Sequence, residues 1–339
     1  MAENEILAPG KLPAEMLENL LKKYSIYDAS IVVGPGIGND AAVISWGDSF
    51  LVAKTDPITF VTSDIGYYAV HVNANDIACL GGTPRWFLVT LLLPEKKTTV
   101  ERVETIFRQI NDVCQQMKIT LCGGHTEITT NLDRPIVVGQ MLGTVSGEKL
   151  VRPGGIQVGD DILVTKGVAI EATSIIAREK FAEIAGLFSE EFAQRCADFI
   201  YKPGISVLPE VRLLQEIAPI HALHDPTEGG IATGIHELAR ASEVKLRIEM
   251  DAIPIIPEAK LLCDEYGLDI LGVIASGALL FAVSPRFSQE IISHLEKNEI
   301  LAAVIGKAVS KGTGVELVSD YEKIELPRFH QDEIIKIFK

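Results

Sequence analysis

The chain contains no run of lysine or arginine, and its formal charge is −15, so at long range it would repel a phosphate backbone. Nucleic acid is therefore not an expected partner. There is also no apolar run long enough to span a bilayer, and no basic-then-apolar signal at the amino terminus. The expectation is a soluble, cytoplasmic protein with no membrane role. Cysteine is scarce: Cys79, Cys114, Cys122, Cys196 and Cys263 form no CxxC pair and mostly sit among apolar neighbours, as reduced core thiols do. Cys114, Cys122 and His125 hint at a soft metal site, but no second pair completes a tetrahedron, and packing thiols are the simpler reading. Repeats and low-complexity tracts are missing too. With 47% apolar and 23% charged residues, wholesale disorder is excluded.

At 339 residues the chain is long for one core and suits two domains of roughly 150 residues. Pro13 is placed to open a helix in which Met16, Leu17, Leu20 and Leu21 form an apolar stripe, ending near Tyr24. Apolar runs at 41–44, 50–53, 87–93 and 136–142 predict strands, and helical spacing covers 67–80 and 99–117. Turn residues then concentrate between Val151 and Asp160, ahead of a predicted strand at 161–165. This separates an amino-terminal domain, 1–150, from a carboxy-terminal domain, 155–339. Helices predicted at 170–185, 190–200, 230–241 and 257–266 then alternate with strands at 245–249 and 279–283. Both halves read as mixed α/β.

Gly34, Gly36 and Gly38 are spaced by two and precede Asp40 and a strand. Glycine lets backbone N–H groups approach a ligand closely, as phosphate-cradling loops do, although a simple glycine turn has the same composition. The Lys-Ser/Thr pair of a Walker loop and the context of a dinucleotide fingerprint are both missing. Asp40, Asp56 in Thr55-Asp56-Pro57, and Asp76 in Asn73-Ala74-Asn75-Asp76 recur at element ends or beside glycine. Gathered together they would supply hard oxygen ligands for Mg2+; each alone could equally cap a turn or helix. Asn73 and Asp76, three apart, would share a helix face. A glycine turn is expected at 122–127, from which Thr126 and Glu127 could reach a metal or a ribose hydroxyl, with His125 structural. Finally, Asp225, Thr227 and Gly229 precede a helix whose free N–H groups would suit an anion, or which Asp225 or Thr227 would simply cap.

In order, the segments GPGIGNDAAV from Gly34, KTDPIT from Lys54, VNANDIACLGGTPRW from Val72, GGHTEI from Gly123 and HDPTEGGIATGIHELA from His224 resemble the aminoimidazole ribonucleotide (AIR) synthetase superfamily. The resemblance spans nearly the whole chain. It implies a two-domain α/β (α+β) fold whose amino-terminal domains pair in a homodimer and build a shared β-barrel. It also implies ATP and Mg2+ as cofactors, with Asp40, Asp56 and Asp76 holding metal and phosphates and Asp40 and Asp76 serving catalysis. The loop 34–38 would fold over the nucleotide, and Asn73, Thr126, Asp225, Thr227 and Gly229 would border it. Members use ATP to phosphorylate an oxygen, often of an amide or carbonyl, by positioning and charge neutralisation.

Within that superfamily the chain resembles the HypE group of hydrogenase maturation proteins, through the segments 225–230, 253–269 and 326–328. HypE chains end in Pro-Arg-Ile-Cys, whereas Pro327-Arg328 is followed here by Phe329-His330, with Cys263 the last cysteine. Where HypE chains carry Asn-Glu-Gly, this one has Ala275-Ser276-Gly277, and serine does not do a carboxylate's proton work unaided. Glu171 or Glu228 could replace that carboxylate, or both could be solvated helix-start charges. The expectation is a HypE-like, ATP-using enzyme with a different small-molecule or protein-borne acceptor. A small-molecule kinase resembling thiamine-monophosphate kinase and a non-catalytic nucleotide-binding scaffold are the other two readings.

Overall fold

The structure is a computed structural model that describes residues 7, 10–36, 38–319 and 322–338; Ile37 of the glycine loop lies outside them. Pro13 directly precedes the first helix, α1 (Ala14–Tyr24), and supplies its fixed backbone to the start. The chain then runs through β1 (Ile31–Val33), β2 (Ala42–Trp46), β3 (Ser49–Ile58), α2 (Ile65–Cys79), β4 (Thr83–Pro94), α3 (Val100–Met117), β5 (Thr120–Thr129) and β6 (Ile136–Val145). These strands form one six-stranded sheet in the order β1-β2-β3-β6-β4-β5. Only β4 and β5 pair parallel, which requires a crossover, and α3 provides it. The Thr99 hydroxyl caps α3 by accepting from Arg102 N–H.

The segment expected to turn at 122–127 is instead part of β5, an edge strand exposed along nearly its whole length. Its glycines serve close packing: a Cβ on Gly124 would lie 1.9 Å from the Val89 carbonyl oxygen of β4. Cys122 and His125 are exposed on this strand, whereas Cys79, Cys114, Cys196 and Cys263 are buried. No helix among the described residues is long and apolar enough to cross a membrane.

The second unit contains β7 (Asp161–Thr165), α4 (Ile170–Glu179), α5 (Phe181–Leu187), α6 (Glu190–Ala197), α7 (Leu208–Ile217), β8 (Ala222–His224), α8 (Gly230–Ala241), β9 (Val244–Glu249), α9 (Pro257–Glu265), β10 (Leu280–Val283), α10 (Pro285–Lys297), β11 (Ala302–Lys311), β12 (Val315–Ser319) and β13 (Glu322–Glu325). Its seven-stranded sheet has the order β13-β12-β9-β11-β7-β10-β8. Central β7 is buried throughout, with Ile162 and Val164 in one apolar cluster and Leu163 in another. Helices cover both faces there, so the strand reads as continuously apolar rather than alternating. The single helix expected at 170–185 is two, because Lys180 leaves helical backbone between α4 and α5.

One apolar cluster joins the two units, running from Ile65, Tyr68 and Ile77 of α2 to Ile175 and Ile176 of α4 and Leu214 of α7. This explains why α2 is buried on nearly every side: it faces its own sheet and the second unit together. A polar clamp closes one end of the contact. Asp64 pairs with Arg178 and accepts hydrogen bonds from the Tyr201 hydroxyl at 3.0 Å and from Gln109 Nε2 at 3.3 Å. Arg178 also donates to the Ala197 carbonyl at 3.0 Å, and the Tyr67 hydroxyl donates to the Ile200 carbonyl at 3.0 Å. Replacing Asp64 with alanine would leave this half-buried guanidinium short of its counter-charge. We expect Asp64→Ala to lower stability by about 2 kcal/mol in denaturant titration; an unchanged midpoint would show that the clamp contributes nothing.

Candidate active site

Side chains from both units meet where the ends of β3, α2 and β8 converge. Lys54 and Asp56 are alternate residues of β3 and so share a face of the strand. Lys54 Nζ lies 3.5 Å from Asp56 Oδ2 and 3.2 Å from Asp76 Oδ2, the latter reaching in from the last turn of α2. The approach to Asp76 is close enough for an ion pair but off the hydrogen-bond direction, so Asp76 Oδ2 has no directed donor. Asn73, one turn earlier, donates to the Asp56 carbonyl at 3.3 Å and leaves its own Oδ1 buried without a donor. Gly139 of β6 permits this packing, since a Cβ there would lie 2.3 Å from Asn73 Nδ2.

From the other side come His224, the last residue of β8, and Asp225, immediately after it. His224 Nδ1 is 2.9 Å from Asp40 Oδ2 and its Nε2 is 2.9 Å from Glu237 Oε2 of α8. A ring with a carboxylate on each nitrogen donates from both and is an imidazolium. Asp225 Oδ1 accepts from the Cys79 thiol at 3.4 Å, while its Oδ2 is buried without a donor. One ligand atom each from Asp40, Cys79 and Asp225 lie within 4.8 Å of one another. The glycine loop locks onto the second unit through Gly38, whose φ is +76° and where a Cβ would touch Ala241 and the Glu237 carbonyl at 3.4 Å. Asn39 Nδ2 braces the loop from inside by donating to the Gly34 carbonyl at 2.9 Å.

The electrostatics follow from this crowding. Burial pushes Asp76 well above the ordinary carboxylate range, and Asp225, Asp40 and Asp56 add to it against the opposing pull of Lys54. Burial and Asp40 raise Asp225 to about 7, with His224 and Lys54 pulling the other way. Burial also acts to raise Asp40, but His224, Lys54 and Lys11 outweigh it and hold Asp40 low. His224 stays charged against the cost of burial because Asp40 and Glu237 flank it. Lys54 is likewise held protonated by Asp76, Asp56 and Asp40 despite burial. The cluster thus holds more carboxylates than its two internal cations neutralise. Oxygen donors with uncommitted lone pairs at Asp76 and Asp225 fit a hard divalent cation such as Mg2+.

Of the residues singled out by sequence, Asp40, Asp56, Asp76, Asn73 and Asp225 are brought together here, beside Gly34, Gly36 and Gly38. Thr227 borders the cluster and accepts from Lys11 Nζ at 3.4 Å. Thr126 is not brought in within one chain: β5 is three strand spacings from β3, about 14 Å across the sheet. Gly229 does not offer a free anion site either, because its N–H already donates to Asp332 Oδ2 at 2.7 Å. Asp225 does not cap α8; it turns toward Cys79 instead. Glu171 is buried rather than solvated, and Glu228 is half-buried. Lys54, Cys79, His224 and Glu237 were not singled out. Lys54 was legible as the same-face neighbour of Asp56, and His224 as the residue before Asp225; Glu237 required the tertiary fold.

Comparison with known proteins bears directly on this arrangement. Residues 38–145 match the family model for the N-terminal domain of AIR synthase related proteins, and residues 157–318 match the model for the C-terminal domain. The chain is 29% identical over 331 residues to a putative hydrogenase expression/formation protein of Methanocaldococcus jannaschii, covering 94% of this chain and 95% of that protein. It is 28% identical over 343 residues to the selenide, water dikinase of the same organism, covering 93% and 94%. Among solved structures, hydrogenase maturation protein HypE in complex with ATP superposes with a TM-score of 0.72 at 21% identity, over 94% of this chain and 91% of that one. With both domain models matched in order, and the acids of the first domain facing His224 and Asp225 of the second, the chain belongs to the AIR synthase related protein family.

Proposed function

We propose that this protein is a HypE-like, Mg2+-dependent enzyme that uses ATP to phosphorylate an oxygen of an acceptor. The observation that carries this reading is the charge imbalance of the cleft, where Asp40, Asp56, Asp76 and Asp225 are gathered around Lys54 and His224, with Lys11 also acting on Asp40. Asp40, Asp56 and Asp76 would hold Mg2+, which bridges protein carboxylates to nucleotide phosphates and supplies charge neutralisation during transfer. The loop 34–38 would lie along the phosphates, with Asn73, Asp225 and Thr227 bordering the nucleotide. The 28% identity to a selenide, water dikinase and the structural likeness to HypE bound to ATP support an ATP-using reading. The acceptor is a small molecule or a group borne on a protein, handled in the cytoplasm.

A small-molecule kinase is the second reading, and Ser276 favours it: transfer to a ready nucleophile does not need the carboxylate that HypE chains carry at that position. The acceptor of such a kinase would still meet the same cleft.

We further propose a homodimer in which β5 pairs with its counterpart and the two first sheets close a shared barrel, bringing Thr126 toward the partner's nucleotide. A ten-residue exposed edge strand, with Leu121 and Ile128 presented to solvent, supports that pairing, since long open edges invite strand addition.

Two measurements test these statements. Asp76→Asn is expected to weaken Mg-ATP binding at least about tenfold, the loss that even an outer-shell partner of a metal causes, read by titration calorimetry. Equal ATP binding and hydrolysis by both proteins would refute the metal assignment. Ile128→Arg is expected to shift the sedimentation of the protein from dimer to monomer, and a persistent dimer would place the interface elsewhere.

A further inference from the structure

Glu171 lies in the first turn of α4, where a carboxylate ordinarily points to water, yet it is only 5% exposed. Ser276, in the loop before β10, is 1% exposed and acts on Glu171 directly. Backbone contacts hold the two against each other. Ala172 N–H, next to Glu171, donates to the Ile274 carbonyl at 3.3 Å. Gly277, with φ +106°, lets the loop press in so far that a Cβ there would lie 2.9 Å from the Gly204 carbonyl and 3.2 Å from Ile170 Cδ1. Neither side chain is satisfied: Glu171 Oε2 and Ser276 Oγ are both buried without a hydrogen-bond partner, as is Oδ2 of Asp225. Leaving buried polar atoms unpaired costs about 1–3 kcal/mol each, so several kept near one another are ready for a polar group arriving from outside.

The surroundings define what that group can be. The strongest charges acting on Glu171 are all acidic: Asp332 from the carboxy-terminal segment, and Glu228 and Asp225 from the loop between β8 and α8. From α2, the buried Tyr68 phenol faces it as well. Burial and these acids raise Glu171 to about 7, with Ser276 pulling it partly back. The neighbouring acids are placed differently. Asp332 accepts from the N–H groups of Gly229, Ile274 and Ile334 at 2.7, 3.2 and 2.9 Å. Asp225 belongs to the Asp40–His224 cluster and is felt by Glu171 and Asp40 alike, so it connects the two sites. Glu228 is half-buried and raised by its own desolvation, with Lys11 pulling it only partly back. Glu171 is the one fully buried acid of this group that is bound neither to backbone N–H groups nor to the phosphate-side cluster.

We propose that Glu171, set against Ser276, is the proton-accepting group of the acceptor subsite, and that this subsite takes an uncharged acceptor carrying an N–H or O–H. The inference rests on the ATP-using reading above. In the step, the acceptor oxygen bonds to the γ-phosphorus while the bond from that phosphorus to the β,γ-bridging oxygen breaks, its electron pair leaving with ADP. The proton on the acceptor's O–H, or on the nitrogen conjugated with its oxygen, passes to Glu171 Oε2 and then to solvent. Ser276 is a positioning residue that fixes the acceptor through its hydroxyl. An acceptor with a phosphate or carboxylate at this end would meet acids on every side and is excluded.

The test uses the full-length protein with Mg-ATP and two uncharged probes, water itself and formamide, with inorganic phosphate as the anionic control. ADP formation by the wild type is expected to rise with pH through about 7, the point at which Glu171 becomes a carboxylate. Glu171→Gln is expected to lose that limb and about a hundredfold in rate, with Mg-ATP affinity by calorimetry unchanged. Moving the carboxylate across the contact, in Glu171→Gln/Ser276→Glu, is expected to restore the limb. Because the folded-state value is raised, the wild type loses stability relative to Glu171→Gln as pH rises toward and through 7. The gap between their denaturation midpoints is therefore expected to widen from pH 5 to 8. Retention of the wild-type rate and pH profile by Glu171→Gln would overturn the inference while leaving the ATP-using reading intact. So would stimulation by inorganic phosphate, or Mg-ATP binding with no ADP formed from either probe. Failure of the wild type to bind Mg-ATP at all would instead overturn the function on which the inference rests.

Discussion

The arrangement of this molecule depends on a charge deficit held in one place. Asp76 and Asp225 are buried beside Asp40 and Asp56, and the nearest cations, Lys54 and His224, are already shared between partners. Bringing like charges out of water is unfavourable, and burial together with the neighbouring acids raises Asp76 and Asp225 accordingly. A fold assembles such a cluster only if the rest of the structure overrides the repulsion. Here the override is apolar: α2 carries Asp76 on a helix whose other sides are sealed between a sheet and the second unit. The carboxylates are positioned by packing, and on the proposed reading a divalent cation would relieve their mutual repulsion.

That same helix makes the two units one mechanical body around the site. Asn75 of α2 donates to the Ile205 carbonyl at 2.8 Å and accepts from Val207 N–H at 3.0 Å, gripping the segment that leads into α7. Gly38 seats the glycine loop on α8, the helix that also presents Glu237 to His224. The acids of the first unit and the histidine of the second are thus registered by backbone contacts at several points, and displacing either unit would break the Asp40–His224–Glu237 chain before it exposed the core.

Much of this was legible in the sequence where chemistry and period coincide. The apolar runs at 50–53, 87–93 and 136–142 fall within β3, β4 and β6, the run at 41–44 starts one residue before β2, and the helix expected at 230–241 is α8. Asp40, Asp56 and Asp76 converge although they come from a loop, a strand and a helix. The glycine pair at 123–124 reads as a turn but lies in a strand, because the residue that permits a turn also permits two strands to approach closely, as at Gly124, and only the neighbouring backbone distinguishes the cases. Glu171 misled for a related reason. A carboxylate in the first turn of a helix is stabilised by the helix dipole whether it faces water or protein. Its burial is set by the loop around Ser276, more than 100 residues away in sequence and unreadable from local pattern.

The start of α8 carries the argument one step further. Two glycines before a helix are the usual signature of an anion site, yet the Gly229 N–H is filled by Asp332, a carboxylate from the far end of the chain. Asp332 also ties down Ile274 N–H, two residues from Ser276. The fold therefore uses its own carboxylate at the Gly229 N–H, where a phosphate would otherwise bind, and in doing so braces the loop that holds Ser276 against Glu171. On the proposed reading, phosphate charge arriving in this cleft would be met elsewhere, by Lys54, by His224 and by cations bound to the aspartates. A site assembled this way would, on the same reading, separate its tasks in space, with metal and phosphate on the side of α2 and β3, and the acceptor against a buried acid on the side of α4.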